Sequence, residues 1–186
     1  AVVLGFKREV SSKVMGFGSY IQMVSLTQNQ RYEILPVLTN DTLLHAVKGV
    51  QGIRHVQRFA NKLGILKTDN DFCGLNFKGI GEDYDTEFLK NCLVEGEMPQ
   101  FSSEKASNQI VISRKVASDL GVKSGDRIFA YFMGEEEMRA RRLTIAGVFE
   151  THMNDYDENY VITDIYTVRR LNGWEKEESS GLEMTV

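Results

Sequence analysis

A chain of 186 residues with 42% hydrophobic and 26% charged content is long enough for a real core and has an ordinary globular composition, which excludes a disordered protein. A formal net charge of -4 argues against nucleic-acid binding, because neutralising phosphates needs a basic face that this balance does not favour. Turns are made by 16 Gly rather than by 2 Pro, no repeat or low-complexity segment stands out, and nothing in the middle is apolar for long enough to span a membrane.

The chain opens on Ala1-Val2-Val3-Leu4, already apolar, and Val3, Phe6, Val10 and Val14 continue at helical spacing. It closes on Leu182-Glu183-Met184-Thr185-Val186, an alternating strand pattern. Starting in mid-helix and stopping in a strand reads as a fragment of a longer chain. Gly16 and Gly18 end the first helix, and Tyr20 to Leu26 reads as a strand. Ile34 to Leu38, broken by Pro36, is extended. Asn40 or Asp41 caps a helix with Leu43, Leu44, Val47 and Val50 on its core face and Gly52 at its end. Ile53 to Thr68 reads as a long strand broken near Asn61, a helix not being excluded. Asp69-Asn70-Asp71 is a hairpin turn, and Phe72 to Ile80 is the partner strand. Phe88, Leu89, Cys92 and Leu93 make a short helix.

From Asn108 to Phe149 the pattern is sharper. Ile110-Val111-Ile112 is a short strand, Ser113 offers an N-cap oxygen, and Val116, Ala117 and Leu120 share one helical face. Gly121 is placed for the left-handed C′ position with Val122 after it, Ser124-Gly125-Asp126 is a turn, and Arg127 to Phe132 alternates as a strand. A charged connection leads to Leu143-Thr144-Ile145-Ala146-Gly147-Val148-Phe149. His152 to Asn159 reads as a polar turn region, Tyr160 to Thr163 as a strand, Asp164 as the cap of a helix ending at Asn172-Gly173, and Trp174 to Gly181 as a charged loop. The expected class is α+β, a split strand-helix layer interrupted by a β-rich insert.

No constellation for catalysis emerges. His45, His55 and His152 lie on separate elements without zinc-site spacing, so no metal is expected. Asp155, Asp157 and Glu158 alternate somewhat like a calcium loop but lack its Gly and distal Glu, which leaves a solvated turn. Ser113 with Lys115 has no nucleophile elbow, and Gly79-Ile80-Gly81 lacks the third Gly and helix start of a phosphate cradle. Cys73 and Cys92 could pair in an oxidising compartment, but two cysteines without a framework read more readily as free, buried residues. In Met133-Gly134-Glu135-Glu136-Glu137-Met138-Arg139-Ala140-Arg141-Arg142, three acidic residues face a basic cluster across a tight turn. One reading is a soluble hairpin tip that pairs its own charges. The other is a partner-docking tip of Met133, Glu135, Glu136, Glu137, Met138, Arg139 and Arg141, in which flexible Met side chains suit an adaptable contact.

Several stretches together resemble the extracytoplasmic domain of MacB-type, FtsX-like ABC-transporter permeases, and within them most closely the lipoprotein-releasing LolC/LolE permeases. Leu4-Gly5-Phe6-Lys7-Arg8-Glu9-Val10 is similar to the end of that family's first membrane helix, and Ser19-Tyr20-Ile21-Gln22-Met23 to its first strand. Ile110 to Ile128 is similar to the insert's strand-helix-turn, and Tyr160-Val161-Ile162 with Thr167 to Leu171 to the returning strand and helix. The resemblance implies residues 1–18 as the end of a membrane helix and its linker. It implies a porter-like subdomain over 19–98 that returns over 151–186, and a sabre-like insert over 99–150. Leu4, Phe6, Glu9 and Val10 would couple the domain to the membrane helix.

The same resemblance implies a non-catalytic domain without cofactors on the periplasmic face of a bacterial inner membrane. Its partners would be a cytoplasmic ATPase subunit, a second permease copy or paralogue, and a periplasmic lipoprotein carrier. In LolC relatives a longer, Pro-containing loop hooks that carrier; here the loop is shorter and has no Pro, which leaves open another partner or docking surface. Lipoprotein release is the first implied function, and efflux or peptide export the second. A reading of another class is a soluble substrate-recognition module, since Leu120 to Asp126 and the following strand are similar to a unit of double-psi β-barrels. That fold needs a second pseudo-symmetric copy of the unit, and none is legible in the sequence.

Overall fold

A computed structural model describes residues 21–25, 34–134 and 136–186. In chain order the strands and helices are β1 (Ile21–Val24), β2 (Val37–Leu38), α1 (Asp41–Lys48), β3 (His55–Lys67), β4 (Phe72–Ile80), α2 (Glu87–Asn91), β5 (Leu93–Gly96) and β6 (Gln109–Ser113). There follow α3 (Arg114–Leu120), β7 (Arg127–Met133), β8 (Met138–Phe149), α4 (Asn154–Asn159), β9 (Tyr160–Asp164), α5 (Ile165–Asn172), β10 (Glu178–Ser179) and β11 (Gly181–Thr185).

The helix boundaries follow from local chemistry. Asn40, rather than Asp41, caps α1 by accepting from the Leu43 N–H at 3.0 Å, and the helix ends at Gly49, ahead of the expected Gly52. The Ser113 hydroxyl accepts from the Val116 N–H and Gly121 takes the left-handed conformation at φ 66°, as the sequence predicts. Asp164 and Gly173 do the same for α5.

β3 runs unbroken for 13 residues, and the expected break near Asn61 is absent because β4 pairs with it continuously from Ala60 to Lys67. One edge carries β11 along its first half and β7 along its last four residues, while the other carries β4. β7 pairs with β8, β8 with β6 in parallel, β6 with β9, and β9 with β4 in parallel. β3, β4, β9, β6, β8 and β7 therefore close into a ring. Strands expected of the insert (β6 to β8) and of the flanking layer (β3, β4, β9) share this one sheet, which is mixed rather than purely antiparallel.

Inside the ring lie Leu66, Phe77, Ile128, Phe132, Ile145 and Val161, all nearly inaccessible, with α3 packed against them through Val116, Ala117 and Leu120. Phe77 and Phe132 meet edge to face at 4.7 Å, and Gly64 makes room for them: a Cβ there would lie 2.6 Å from the Phe132 ring. Outside the ring, α2 and α4 cover Ile80, Val111, Phe149 and Ile162, α1 covers Val56 and Leu182, and α5 covers Ala60.

Two parts of the ring repeat each other. β6, Ser113, α3 and Gly121 run strand, cap, helix, left-handed glycine; β9, Asp164, α5 and Gly173 run the same course. The two strands meet antiparallel at Val111 and Ile162, the third residue of each, so a local two-fold passes between them. This repeated unit is strand-cap-helix-glycine and differs from the helix-turn-strand unit of Leu120 to Asp126 with its following strand.

Three elements differ from expectation. The helix expected through Leu93 stops at Asn91, and Leu93 opens β5, an edge strand on β8. The polar turn expected over His152 to Asn159 contains α4. The expected loop from Trp174 to Gly181 contains β10, which pairs with β2.

Candidate functional site

The residues weighed for catalysis are held in structural roles. Among the described residues no group of three or more His, Cys, Asp or Glu is gathered to hold a metal ion. His55 Nε2 is 2.8 Å from the Asp83 carbonyl, and His152 sits exposed on a turn with φ 61°. Asp157, expected in a solvated turn, is buried and accepts from the Thr151 N–H and hydroxyl, which ties α4 to the end of β8. Ser113 also donates to the Asp157 carbonyl, and Lys115 pairs with Asp119, so Ser113 and Lys115 form no dyad. Gly79 lies under α5, where a Cβ would come 2.8 Å from Ile165 Cα; its role is helix packing. Cys73 and Cys92 are free, half-buried thiols, both raised in pKa chiefly by burial.

The most elaborate polar arrangement escapes the sequence pattern altogether. β1 and β11 are antiparallel with Ile21 opposite Met184, and β11 continues onto β3 with Glu183 opposite Gln57. Alternation in Leu182-Glu183-Met184 sends the two apolar residues to the core under α1, so Glu183 must enter the other face. There it is fully enclosed. Its Oε1 accepts from Gln22 Nε2 at 3.2 Å and Lys78 Nζ at 2.5 Å, and its Oε2 from Gln57 Nε2 at 3.1 Å and the Tyr84 hydroxyl at 2.9 Å. All four acceptor positions of a carboxylate are thus used. Lys78 Nζ also lies 5.3 Å from the ring centroids of both Phe59 and Tyr84. Burial and the adjoining Glu183 charge hold the Tyr84 phenol well above its ordinary range. The ladder binds β1, β11, β3 and β4 into one block.

Beside it, Asp83 Oδ2 accepts from the Arg58 N–H at 3.0 Å, yet burial outweighs this bond and the Arg58 charge and raises the Asp83 pKa. An acid raised on folding stabilises the protein while protonated, a contribution lost as pH rises through its folded value. Asp83→Asn is therefore expected to be more stable than the parent protein at pH 7, with the gain vanishing well below pH ~3.9, the ordinary aspartate value. Urea midpoints across that range check it; a less stable Asn variant at pH 7 would show that the charge is the favoured form.

The hairpin tip lies far along β7 and β8. The Gly134 N–H donates to the Glu137 carbonyl at 2.8 Å, and Met133 stands opposite Met138. Glu135 lies outside the described residues, as do Leu4, Phe6, Glu9 and Val10. Among the described residues no ion pair joins Glu136 or Glu137 to Arg139, Arg141 or Arg142. Arg139 instead reaches the Arg170 carbonyl at 3.4 Å, an acceptor in the last turn of α5, and Arg141 bonds the neighbouring Ala140 carbonyl. Glu136 and Glu137 face solvent, with Met133 and Met138 exposed beside them.

No protein-family profile matches the chain, and no curated protein matches it in sequence. Solved structures do. The extracellular domain of the noncanonic ABC-type transporter YknZ from Gram-positive bacteria superposes with a TM-score of 0.57 at 17% identity, over 81% of this chain and 73% of that one. The periplasmic region of MacB from Actinobacillus actinomycetemcomitans superposes with a TM-score of 0.57 at 13% identity, over 96% of this chain and 79% of that one. The chain has the fold of the extracytoplasmic domains of MacB-type ABC-transporter permeases.

Proposed function

We propose that this chain is the non-catalytic extracytoplasmic domain of an ABC-transporter permease and that it converts movement of membrane helices into release of a substrate, first of all lipoproteins leaving the inner membrane. The observation that carries the reading is the antiparallel pairing of β1 with β11, Ile21 opposite Met184. The start of β1 and the end of β11 lie side by side, ~5 Å apart. A domain inserted between two membrane spans needs this arrangement, and the Glu183 ladder makes the junction rigid. The partners are a separate ATPase subunit in the cytoplasm, a second permease copy, and a periplasmic acceptor for the released substrate. Among the described residues no helix is long and apolar enough to cross a membrane.

The test uses Gly181, where an added Cβ would sit 2.0 Å from the Met23 carbonyl oxygen. Gly181→Val is expected to detach β1 from β11 while the ring stays folded, so the permease reconstituted with its ATPase would hydrolyse ATP without releasing substrate. Unchanged release with β1 displaced would sink the coupling role. Depletion in cells separates the substrates: lipoproteins retained in the inner membrane support release, whereas drug or peptide sensitivity with normal lipoprotein sorting supports export.

One observation favours a soluble recognition module instead, namely the closed ring with its two strand-cap-helix-glycine units meeting at Val111 and Ile162. Such a module would bind its target equally well with β1 attached or detached, so Gly181→Val distinguishes the two readings.

A further inference from the structure

Met133 and Met138 stand opposite each other where β7 and β8 open into the hairpin turn. The Gly134 N–H bonds to the Glu137 carbonyl, which sets the alternation of the ladder. The adjoining Met133 and Met138 are therefore a non-hydrogen-bonded pair, the kind whose Cα atoms approach to ~4.5 Å and whose side chains lie closest. Phe132 points into the ring, so its neighbour Met133 and the facing Met138 stand on the outer surface. Met133 is 70% and Met138 53% exposed, and neither belongs to a buried cluster. Packing does not account for two thioethers at this place.

The surroundings favour a cation. Glu136 and Glu137 are exposed in the turn directly beyond the pair, and Tyr131 and Ala140 follow it on the same face. Arg139 lies on the opposite face of the hairpin, across from Phe132, and is held at the Arg170 carbonyl. Arg141, across from Ala130, shares that opposite face. Arg142 is on the outer face but ~13 Å along β8 from Met138. A thioether is a neutral, polarisable sulfur donor that suits soft ions such as Cu(I), whereas Ca²⁺ and Mg²⁺ call for several oxygens. Two such donors on flexible stems, one strand spacing apart, reach a common ion without moving the backbone.

We infer that Met133 and Met138 together bind one soft monovalent metal ion of the Cu(I) class at the hairpin tip. The ion enters and leaves in the same oxidation state, so the site needs no redox partner. It stands on the hairpin itself, independently of the permease reading. Because the two sulfurs hold one ion, each makes the other's contact intramolecular, and losing either removes most of the affinity.

The test is titration with Ag(I), which stands in for Cu(I) without a reductant, on the 186-residue chain in chloride-free buffer. Cys73 and Cys92 are competing soft ligands, so both are replaced by Ser in every variant. The readout is the methyl signals of the seven methionines in a proton–carbon NMR spectrum. Those of Met133 and Met138 are expected to shift together and saturate at one equivalent of silver, unchanged by excess Ca²⁺. Met133→Leu and Met138→Leu each weakens binding at the remaining methionine at least about tenfold. Leu keeps the volume and both positions are exposed, so the fold is retained, which circular dichroism checks. A second measurement leaves the cysteines in place: with silver beyond what the two thiols take up, peroxide oxidation of Met133 and Met138, read by mass spectrometry of the tip peptide, slows at least about tenfold. Separate midpoints for the two methyl signals, equal shifts at other methionines, a single Leu variant that binds as tightly as its parent, displacement of silver by Ca²⁺, or unprotected oxidation overturns the inference.

Discussion

Glu183→Ala is expected to destabilise the protein by about 3–5 kcal/mol, because it leaves the Lys78 ammonium enclosed with its carboxylate partner gone. Gln22, Gln57 and Tyr84 lose an acceptor at the same time, so the cost reaches beyond one ion pair. The paired replacement Glu183→Leu with Lys78→Met removes both charges and keeps the volume, and should recover the part of that loss due to the unpaired ammonium, while the donors of Gln57 and Tyr84 still lack their acceptor. Urea denaturation of the two variants is the measurement. If Glu183→Ala costs less than about 1 kcal/mol, Lys78 is finding water and the ladder is not the rigid junction described above. If the double variant stays folded but the permease no longer releases substrate, the ladder serves transmission rather than stability alone.

Phe132→Ala carries a similar expected cost, about 3–5 kcal/mol, for a different reason: it empties the middle of the ring. Gly64 supplies the internal control. A methyl group there would lie 2.6 Å from the Phe132 ring and 2.9 Å from Phe77, so Gly64→Ala alone should cost about 1–3 kcal/mol through overpacking. In the Phe132→Ala background the same methyl enters the vacated space, and Gly64→Ala becomes neutral or stabilising. A double-mutant cycle by thermal denaturation reads the coupling. Additive effects would mean that Gly64 and Phe132 do not face each other across the ring, and the β3–β7 register would need revision.

How much of this was legible depends on the reach of the interaction concerned. Ser113 with Gly121 and Asp164 with Gly173 could be read as caps because each bond closes within one helical turn. The Asp69 to Asp71 turn was legible for the same reason, with the Thr68 N–H donating to the Asp71 carbonyl. The resemblance to MacB-type domains correctly pointed to their fold. Ring closure was not legible, since the neighbours of β9 lie on β4 and β6, and no local pattern in Tyr160 to Asp164 names them. α4 was missed because Asn154 to Asn159 carries no apolar periodicity; its inward group is the Asp157 carboxylate, bonded to Thr151. Glu183 was missed by a default assumption, that the polar residue of an alternating strand faces water. Only the four partners brought by β1, β3, β4 and the Tyr84 segment make its burial tolerable. The charged tip was legible as a motif, but its setting at the end of a sheet depends on β3 lying beside β7, a pairing between residues more than sixty positions apart.

The place of β9 in the ring also governs when this protein can fold. β9 is the wedge between β4 and β6, so a chain emerging N-terminus first has some 160 residues out before the ring can close, and β11 must follow to complete the sheet. Until then β3, β4, β6, β7 and β8 form an open sheet with unpaired edges, the kind of intermediate that aggregates or engages chaperones. Closure by such distant segments is slow compared with local hairpin formation. Folding is therefore deferred until the last strands of the domain have emerged. On the extracytoplasmic placement proposed above, late closure keeps the segment extended and translocatable until its last strands arrive on the far side.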